Sequence, residues 1–317
     1  SSTLGRLSAL SLTGYQIFLG KLPLGHFTTL LSYWSQFTRP LAAVAQGFEG
    51  VIKEVIDAQK LVELMQTQPT VPNRLGALPL KVEYGRVDFD NVTFGYDDRQ
   101  RVLEGLTFSC EPGQRIAFVG KTGGGKTTVL RLLCRDYDAL SGSIKIDGQE
   151  IRDVTIDSLR SAIATVPQQP KMLNLTIMEN IRYGNSASDE EIYQVCKDVE
   201  IHKELCKIGY DKIVGENGVK LSGGQMQRIA LVRAILKDPT ILILDEAMSA
   251  VDTLTESNIQ RNLAPYLQKR TVLIVSHRLA TITSADRIFV MKDGQIVQQG
   301  THEQLKPHGL YAQLWAA

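Results

Sequence analysis

A glycine-rich segment, residues 120–127, follows a short apolar run and precedes an apolar-periodic stretch. Glycines let a loop wrap so that successive backbone N–H groups point at phosphate oxygens, and a helix beginning there adds a partial positive charge. A lysine in such a loop supplies a cation for the terminal phosphates, and a threonine hydroxyl is suited to Mg²⁺. The order strand, loop, helix predicts a phosphate site, and a structural glycine turn is the alternative. The predicted contacts are Gly120, Gly123, Gly125, Lys126, Thr127 and Thr128.

A second apolar run, residues 241–244, ends in two adjacent carboxylates, Asp245 and Glu246. Asp245 is suited to the shell of the magnesium ion, and Glu246 is suited to orienting a water molecule or accepting its proton. A base beside a metal ligand favours water as the acceptor of a phosphoryl group, because the protein mainly positions groups in this chemistry. The pair therefore predicts nucleotide hydrolysis. Taken alone, it would also fit an ordinary polar turn.

A third segment, residues 221–225, reads Leu-Ser-Gly-Gly-Gln and precedes an apolar-periodic helix. Such a turn at a helix N-terminus is a second anion site, with a dipole worth about 0.3–1 kcal/mol. With the first two segments, it resembles the nucleotide-binding domain of an ATP-binding cassette (ABC) transporter, whose signature is this motif. The resemblance implies bound ATP and Mg²⁺ and a head-to-tail dimer with a second copy or a homologous ABC subunit. The signature residues that would close over the other copy's ATP are Ser222, Gly223, Gly224 and Gln225.

Further positions match the family one at a time. Tyr96 resembles the aromatic residue that stacks on adenine, an interaction of about 1–3 kcal/mol by analogy with base stacking; an exposed strand tyrosine is the alternative. Gln168 resembles the glutamine that contacts Mg²⁺ or water, His277 resembles the histidine that contacts the γ-phosphate, and Asp252 lies in the segment that crosses the dimer interface. The resemblance implies catalytic roles for Glu246, His277 and Gln168 and metal ligation by Thr127, Gln168 and Asp245.

The region before residue 81 has a different texture. Only three charged side chains precede Glu49, and the two uncharged runs between them are short or borderline for a membrane helix, which needs roughly 20 mostly apolar residues. By resemblance to ABC-B type exporters, residues 1–48 are expected to be a partial transmembrane domain, the end of one helix and the last helix. Pro40 is expected to kink that helix; a soluble core helix or an interfacial segment is the alternative. Residues 49–80 are predicted to be a connecting helix and a proline-rich linker.

From residue 81 onward the pattern is typical of an α/β protein. Charge-free, β-branched runs suit central strands of a parallel sheet covered on both faces; these are residues 116–119, 241–244 and 272–275. Alternating segments suit antiparallel strands, and residues 292–294 predict a hairpin turn. The predicted fold is a P-loop NTPase of ABC type over residues 81–317. It has a mixed sheet core, an antiparallel β subdomain and a helical subdomain at about residues 169–238.

Composition argues against several other functions. With 35 Lys and Arg against 34 Asp and Glu, the net charge is +1, so electrostatic capture of nucleic acid is not expected. The four cysteines lack ligand spacing for zinc and indicate no disulfide framework. A soluble cassette ATPase acting on nucleic acid or ribosomes would need a tandem cassette, coiled coils or a basic surface. A small-molecule kinase would leave residues 221–225 and Glu246 unexplained.

The predicted function is ATP hydrolysis by the nucleotide-binding domain of an ABC exporter half-transporter, with a texture resembling the heavy-metal-tolerance and mitochondrial group. ATP-driven dimerisation would drive export, and Val214, Gly215 and Glu216 resemble the segment that contacts the coupling helices of the membrane domain. The full-length parent is expected in a membrane, for example of a vacuole or mitochondrion, with its ATPase domain in the cytosol. Because a half-transporter needs six membrane helices, the chain is expected to be truncated. A soluble ABC-type ATPase not engaged in transport is the alternative.

Overall fold

The computed structural model describes residues 2–97, 100–307 and 309–315. Its contacts divide the chain into two units, Ser1–Pro69 and Thr70–Ala317. The first unit is helical, and the second contains both β-sheets together with every site residue predicted above.

The first unit consists of helices α1 (Ser2–Phe18) and α2 (Gly25–Gln66). Helix α2 continues through Pro40, so the connecting helix expected from residue 49 is the second half of one long helix. A proline removes one backbone hydrogen bond, and here that loss does not end the helix. No residue of α2 is buried. Within the described residues, no helix combines the length and the apolar character required to cross a membrane.

The strands of the second unit are β1 (Val87–Phe94), β2 (Leu103–Cys110), β3 (Arg115–Val119), β4 (Ser141–Ile146), β5 (Gln149–Glu150), β6 (Ile163–Val166), β7 (Ile241–Asp245), β8 (Thr271–Val275), β9 (Arg287–Lys292) and β10 (Gln295–Gly300). An antiparallel sheet has the order β2-β1-β4-β5, and a six-stranded sheet has the order β10-β9-β3-β8-β7-β6. In the larger sheet, β9, β3, β8, β7 and β6 run parallel, and β10 is antiparallel to β9. The predicted ABC-type fold, with a mixed sheet and a separate antiparallel sheet, is confirmed.

The helices of this unit are α3 (Lys126–Leu133), α4 (Ile156–Ala162), α5 (Ile177–Arg182), α6 (Asp189–Asp198), α7 (His202–Ile208), α8 (Gly223–Leu236), α9 (Thr253–Leu267), α10 (Leu279–Thr283), α11 (His302–Leu305) and α12 (Gly309–Trp315). A 3₁₀ turn, Glu216–Gly218, lies between α7 and α8. Helices α5 to α8 therefore follow one another between β6 and β7, as the helical pattern in the sequence predicts.

Alternate residues of the central strands enter two different hydrophobic clusters. In β3, Ala117 and Val119 face the cluster that includes α5 to α9, whereas Ile116 and Phe118 face the cluster shared with the antiparallel sheet and α3. Successive strand residues point to opposite faces, so these charge-free strands are covered on both sides. Both faces are buried because the runs carry no polar residue that would need water.

The topology places the site segments at one edge. Strands β3, β6, β7 and β8 are parallel, so their carboxyl ends meet on the same side of the sheet, where open α/β sheets bind ligands. The glycine-rich loop follows β3, Gln168 follows β6, Asp245 ends β7, and His277 follows β8. The strand ends, rather than proximity in sequence, bring these residues together.

The predicted hairpin joins β9 to β10. Asp293 and Gly294 both have positive φ, 49° and 77°, the combination that a two-residue type I′ turn requires. A Cβ on Gly294 would lie 2.4 Å from the carbonyl oxygen of Val102, so glycine is needed here for space as well as for conformation.

The second half of the expected linker is docked on the second unit. Leu78 forms a parallel bridge with Val154, and the Leu80 backbone N–H donates to Ser158 Oγ at 2.7 Å. The buried Arg135 guanidinium donates to the Pro72 carbonyl at 3.1 Å. These contacts explain why the structural division lies after residue 69, whereas the sequence pattern places the domain start at residue 81.

Candidate functional site

The glycine-rich loop has a backbone that side chains would disrupt. Gly120, Gly123 and Gly125 have φ of 149°, 84° and 92°, in the region that favours glycine. A Cβ at Gly120 would lie 2.2 Å from the Met291 carbonyl oxygen, and one at Gly125 would lie 2.7 Å from Leu103 Cδ2. A Cβ at Gly123 would have no other atom within 4 Å beyond its chain neighbours, so that part of the loop faces open space.

Helix α3 begins at this loop without a side-chain cap. Its N-cap is Gly125, and within the described residues the backbone N–H groups of Gly125, Lys126 and Thr127 have no protein acceptor. The first N–H groups of a helix require partners from outside the helix. A phosphate placed here would supply them, so the backbone fits the predicted nucleotide.

Lys126 is 6% exposed. Its Nζ donates to the carbonyl oxygens of Gly120 at 2.8 Å and Lys121 at 3.0 Å. Burial lowers the pKa of Lys126, while the charges of Glu246 and Asp245 act in the opposite direction. The cation thus lies in the loop, close to both carboxylates that follow β7.

Asp245 and Thr127 form the predicted metal-binding pair. Burial, and then the negative charge of Glu246, raise the pKa of Asp245, while Arg131, a hydrogen bond from Thr127 and Lys126 oppose that rise. Together with Gln168 they offer a carboxylate, a hydroxyl and an amide oxygen, hard ligands of the kind Mg²⁺ takes. Among the described residues, no group of three or more His, Cys, Asp or Glu side chains is placed to hold a metal; the magnesium ligands predicted here include only one such residue.

The three residues implied as catalytic are brought together. Gln168 Nε2 donates to Glu246 Oε2 at 2.6 Å, and His277 Nε2 lies 3.3 Å from Glu246 Oε1. Glu246 has φ 49°, uncommon for a residue with a side chain, and its N–H donates to the Val275 carbonyl at 2.8 Å. Both carboxylate oxygens therefore have a partner from a different loop at the sheet edge.

The signature segment begins α8 with a capping box. Ser222 Oγ accepts from the Gln225 N–H at 3.2 Å, and Gln225 Oε1 accepts from the Ser222 N–H at 2.9 Å. Gly224 allows a close backbone approach, since a Cβ there would lie 2.8 Å from the Ala250 carbonyl oxygen. Ser222 and Gly223 are exposed and available for contact from outside.

Two residues that sequence reasoning missed hold this segment from behind. Glu204 of α7 accepts from Gln225 Nε2 at 2.8 Å and pairs with Arg228 Nη2 at 2.7 Å. Arg228 also donates to the Glu200 carbonyl at 2.6 Å. A charged residue inside an otherwise apolar helix indicates that Arg228 has a partner. Nothing in the sequence identifies Glu204 as that partner.

The segment after Glu246 is anchored by a buried carboxylate. Glu256 of α9 is 2% exposed; it pairs with Arg278 and accepts from Thr281 Oγ1 at 2.6 Å. Arg278 also donates to the Ser249 carbonyl at 2.8 Å. Asp252 is exposed and caps α9, accepting from the Thr255 N–H at 3.0 Å. Arg278 follows His277 directly, so these contacts link the two loops that carry His277 and Glu246.

Tyr96 lies beside the start of α3. Its hydroxyl is 3.1 Å from Thr128 Oγ1, and its ring makes edge contacts with Phe94 and Tyr137, with centroids 5.0 and 5.1 Å apart. Tyr96 is 48% exposed. The ring is therefore partly exposed beside α3, the helix that follows the glycine loop, and Thr128 next to it is buried.

A family model described as ABC transporter matches residues 103–249. Residues 103–249 of this chain therefore form an ABC transporter domain. The matched residues of the ABC domain contain the glycine loop, Gln168, the signature and the carboxylate pair, whereas Tyr96, Asp252 and His277 lie outside them.

The similarity extends beyond the matched ABC domain. The chain is 45% identical over 309 residues to a heavy metal tolerance protein of Schizosaccharomyces pombe, across 96% of this chain and 37% of that protein. It is 42% identical over 316 residues to ATP-binding cassette sub-family B member 6 of Homo sapiens, across 98% of this chain and 38% of that protein. The chain thus spans less than half the length of these curated relatives.

A solved structure, that of a bacterial Atm1-family ABC exporter with ATP bound, matches the fold with a TM-score of 0.80 and 40% sequence identity. The match covers 99% of this chain and 56% of that exporter. It therefore includes the two N-terminal helices as well as the ABC domain.

Proposed function

We propose that this chain is the ATP-hydrolysing part of an ABC-B exporter half-transporter, in which two copies, or one copy and a homologous subunit, close head to tail on ATP to drive export. The observation that supports this most directly is the cluster of Gln168, Glu246 and His277 at the sheet edge. A loop that only stored a nucleotide would not need a carboxylate held by two partners next to its lysine.

Nucleotide binding is assigned to the glycine loop and α3. The open N–H groups at the start of α3 bind phosphate oxygens, and Lys126 exchanges its two loop carbonyls for them. Tyr96 presents its ring to the adenine. Thr127, Asp245 and Gln168 hold Mg²⁺, which when bound neutralises charge developing on the phosphates.

Hydrolysis is assigned to Glu246. A carboxylate next to the metal ligand Asp245 can orient a water molecule and accept its proton at an Oε atom. Gln168 and His277 fix the two oxygens of Glu246 through contacts of 2.6 and 3.3 Å, which limits the carboxylate to one orientation. His277 is also the residue proposed to contact the γ-phosphate.

Dimer formation is assigned to the signature end of α8. One chain offers two separate phosphate-binding helix starts, at α3 and at α8, on different loops. Ser222 and the N–H groups of Gly223 and Gly224 meet the nucleotide held by the other copy, and Asp252 lies in the segment that crosses the interface. This arrangement makes hydrolysis dependent on the second subunit.

Residues 1–48 are proposed to be the end of a membrane domain, and Val214, Gly215 and Glu216 to face its coupling helices. In support, the match to the solved exporter includes this region, and α2 carries large apolar side chains that are more than half exposed, among them Phe37, Leu41 and Phe48. The parent protein is accordingly proposed to be an integral membrane protein, with an organellar membrane as one location.

The test is the dependence of ATP turnover on protein concentration. Turnover per chain is expected to rise with concentration and to saturate as dimers form, in parallel with an ATP-induced dimer seen by sedimentation. Full turnover by a strict monomer would contradict the proposal. Partitioning of the expressed chain and of its full-length parent into membranes separates the exporter from a soluble ABC-type ATPase.

A further inference from the structure

Gln227 lies on α8, two residues after the signature glutamine, and is 3% exposed. Its Nε2 is 2.9 Å from Ser249 Oγ, 3.0 Å from the Gln168 carbonyl oxygen and 3.3 Å from the Glu246 carbonyl oxygen. Its Oε1 accepts from the Ala250 N–H at 2.9 Å. A single buried amide therefore joins the signature helix to the loop after β6 and to the segment after β7.

The amide has more acceptors than protons. An amide nitrogen carries two N–H groups, and three oxygens lie within reach of this one, so at least one bond is shared. Because buried polar groups must keep their hydrogen bonds, a movement of α8 relative to Gln168 or Glu246 redistributes these bonds without leaving the amide unpaired. Gln227 is thus built to remain attached while its neighbours shift.

The contacts of Gln227 connect elements that serve different ATP sites in the proposed dimer. In the proposed dimer, the signature end of α8 contacts the nucleotide of the other copy, whereas Gln168 and Glu246 act on the nucleotide of their own copy. The capping box makes the signature the first turn of α8, and Glu204 of α7 accepts from Gln225 in that turn. Displacement of the signature by the partner's nucleotide therefore reaches Gln227 through about one turn of helix.

We propose that Gln227 is a positioning residue that couples the two ATP sites of the dimer, by tying the signature helix that closes one site to the base and glutamine of the other. The proposal rests on the proposed dimeric ATPase. It predicts that occupancy of one site sets the orientation of Glu246 at the second site, and that this dependence passes through the Gln227 amide.

The first experiment measures ATP turnover against ATP concentration for the full chain and for Gln227→Met, which keeps length and burial and removes the amide. The expected result is a parent Hill coefficient above 1 and, in the variant, a Hill coefficient of 1 with kcat lowered about tenfold and KM changed less than twofold. A parent coefficient of 1, or an unchanged coefficient in the variant, would overturn the proposal.

The control is Asn180→Leu, which removes another buried amide. Asn180 is 0% exposed, and its Nδ2 donates to the Leu173 and Thr176 carbonyls at 3.0 and 2.9 Å. These partners lie far in sequence from Glu246. It is expected to lower Tm while leaving the Hill coefficient at the parent value. Gln227→Glu, which retains the acceptor for Ala250, gives a second variant if Gln227→Met does not fold; it is also expected to lower the coefficient to 1.

The second experiment separates positioning of the base from damage to the signature. Mixed dimers in which one subunit carries Glu246→Gln have a single working base. Gln227→Met in the subunit with the intact base is expected to lower turnover about tenfold, and in the other subunit less than twofold. The opposite pattern would show that the change acts on the signature facing the working site, and would refute the coupling.

These experiments, together with the dependence of turnover on protein concentration, separate this inference from the proposed function. A parent chain that hydrolyses ATP without dimerising refutes the dimeric ATPase itself. A parent with concentration-dependent turnover whose Gln227→Met variant retains cooperativity supports the dimeric ATPase and refutes only the coupling.

Discussion

The two helix starts that the sequence suggests for phosphate differ in how they are completed. At α3 the N-cap is Gly125 and no side chain caps the helix, so the first N–H groups of the helix are open to a ligand. At α8, Ser222 and Gln225 cap the helix reciprocally, as Ser188 and Glu191 do at α6. The start of α3 therefore leaves N–H groups for the proposed ligand, whereas the start of α8 is complete without one and can serve as a contact surface.

The surroundings show the same contrast. Lys126 in the glycine loop is buried, and the cost of burying its charge exceeds the favourable effect of the Glu246 and Asp245 charges. Ser222 is exposed, and its neighbours on α8 are held by the Glu204 and Arg228 contacts. This difference fits the proposal that the start of α3 binds nucleotide and that the start of α8 contacts a partner subunit.

The largest expected effect is at the ligand-dependent end. Lys126→Ala removes a cation whose charge-assisted hydrogen bonds to phosphate are worth about 1.5–3 kcal/mol each, so ATP affinity should fall at least about 100-fold and turnover should vanish. Lys237→Ala is the matched control, because Lys237 Nζ also donates to two carbonyls, at 2.6 and 2.7 Å. If calorimetric titration gave equal ATP affinity for Lys126→Ala and Lys237→Ala, the contrast between the starts of α3 and α8 would be contradicted.

Glu246→Gln should separate binding from chemistry. A glutamine retains the size of the side chain and cannot accept the proton of water, and loss of a general base lowers rates by about 10²–10⁴-fold. ATP binding should persist, and the dimer should accumulate because the reopening step is blocked. Single-turnover kinetics with sedimentation measures both; hydrolysis at the parent rate would contradict the assignment of the base.

Ser222→Arg should break the contact surface alone. A bulky cation at the exposed start of α8 prevents closure on a second copy, while ATP binding to the monomer should be unchanged. Ser188→Arg loses an equivalent capping box, worth about 0.5–2 kcal/mol, and should dimerise normally. A normal ATP-induced dimer of Ser222→Arg in sedimentation would refute the role of α8 across the interface.

Tyr96→Ala should weaken ATP binding by about 5–150-fold, the range that about 1–3 kcal/mol of stacking represents. Tyr96→Phe removes the hydroxyl contact with Thr128 and keeps the ring, so its affinity should remain close to that of the parent. Titration with ATP and with triphosphate lacking a base distinguishes stacking from a local distortion; an equal loss for both ligands would point to distortion of α3.

The smallest effect is on stability. The pKa of Asp245 is raised in the folded chain by burial and by Glu246. The folded chain therefore favours the protonated carboxyl, and this contribution to stability is lost as pH rises through the raised pKa. Asp245→Asn should therefore slightly raise the Tm of the nucleotide-free chain near neutral pH, with no gain at pH values below the ordinary pKa of an unfolded aspartate. The exposed Asp211→Asn should not change Tm. A lower Tm for Asp245→Asn at neutral pH would contradict this.

Many of the strands, turns and helix starts of this protein follow from local patterns in the sequence. Charge-free strand runs and glycine-rich turns are local signals, so β3, β7, β8, the β9–β10 turn and the helix starts at Lys126 and Gly223 could be predicted from neighbouring residues. The family's motifs likewise implied Gln168, Glu246 and His277 as separate positions, although no local pattern states that they touch.

Tertiary structure decided which of these residues meet and what holds them. Three parallel strand ends bring Gln168 and His277 to Glu246, and side chains distant in sequence, Gln227, Glu204 and Glu256, hold the loops that carry the site. Hydrogen bonds between residues 20 to 80 positions apart leave no periodic trace, because each depends on the final placement of two elements. For the same reason, only the packing shows that residues 70–80 belong with the second unit and that α3 is open where α8 is capped.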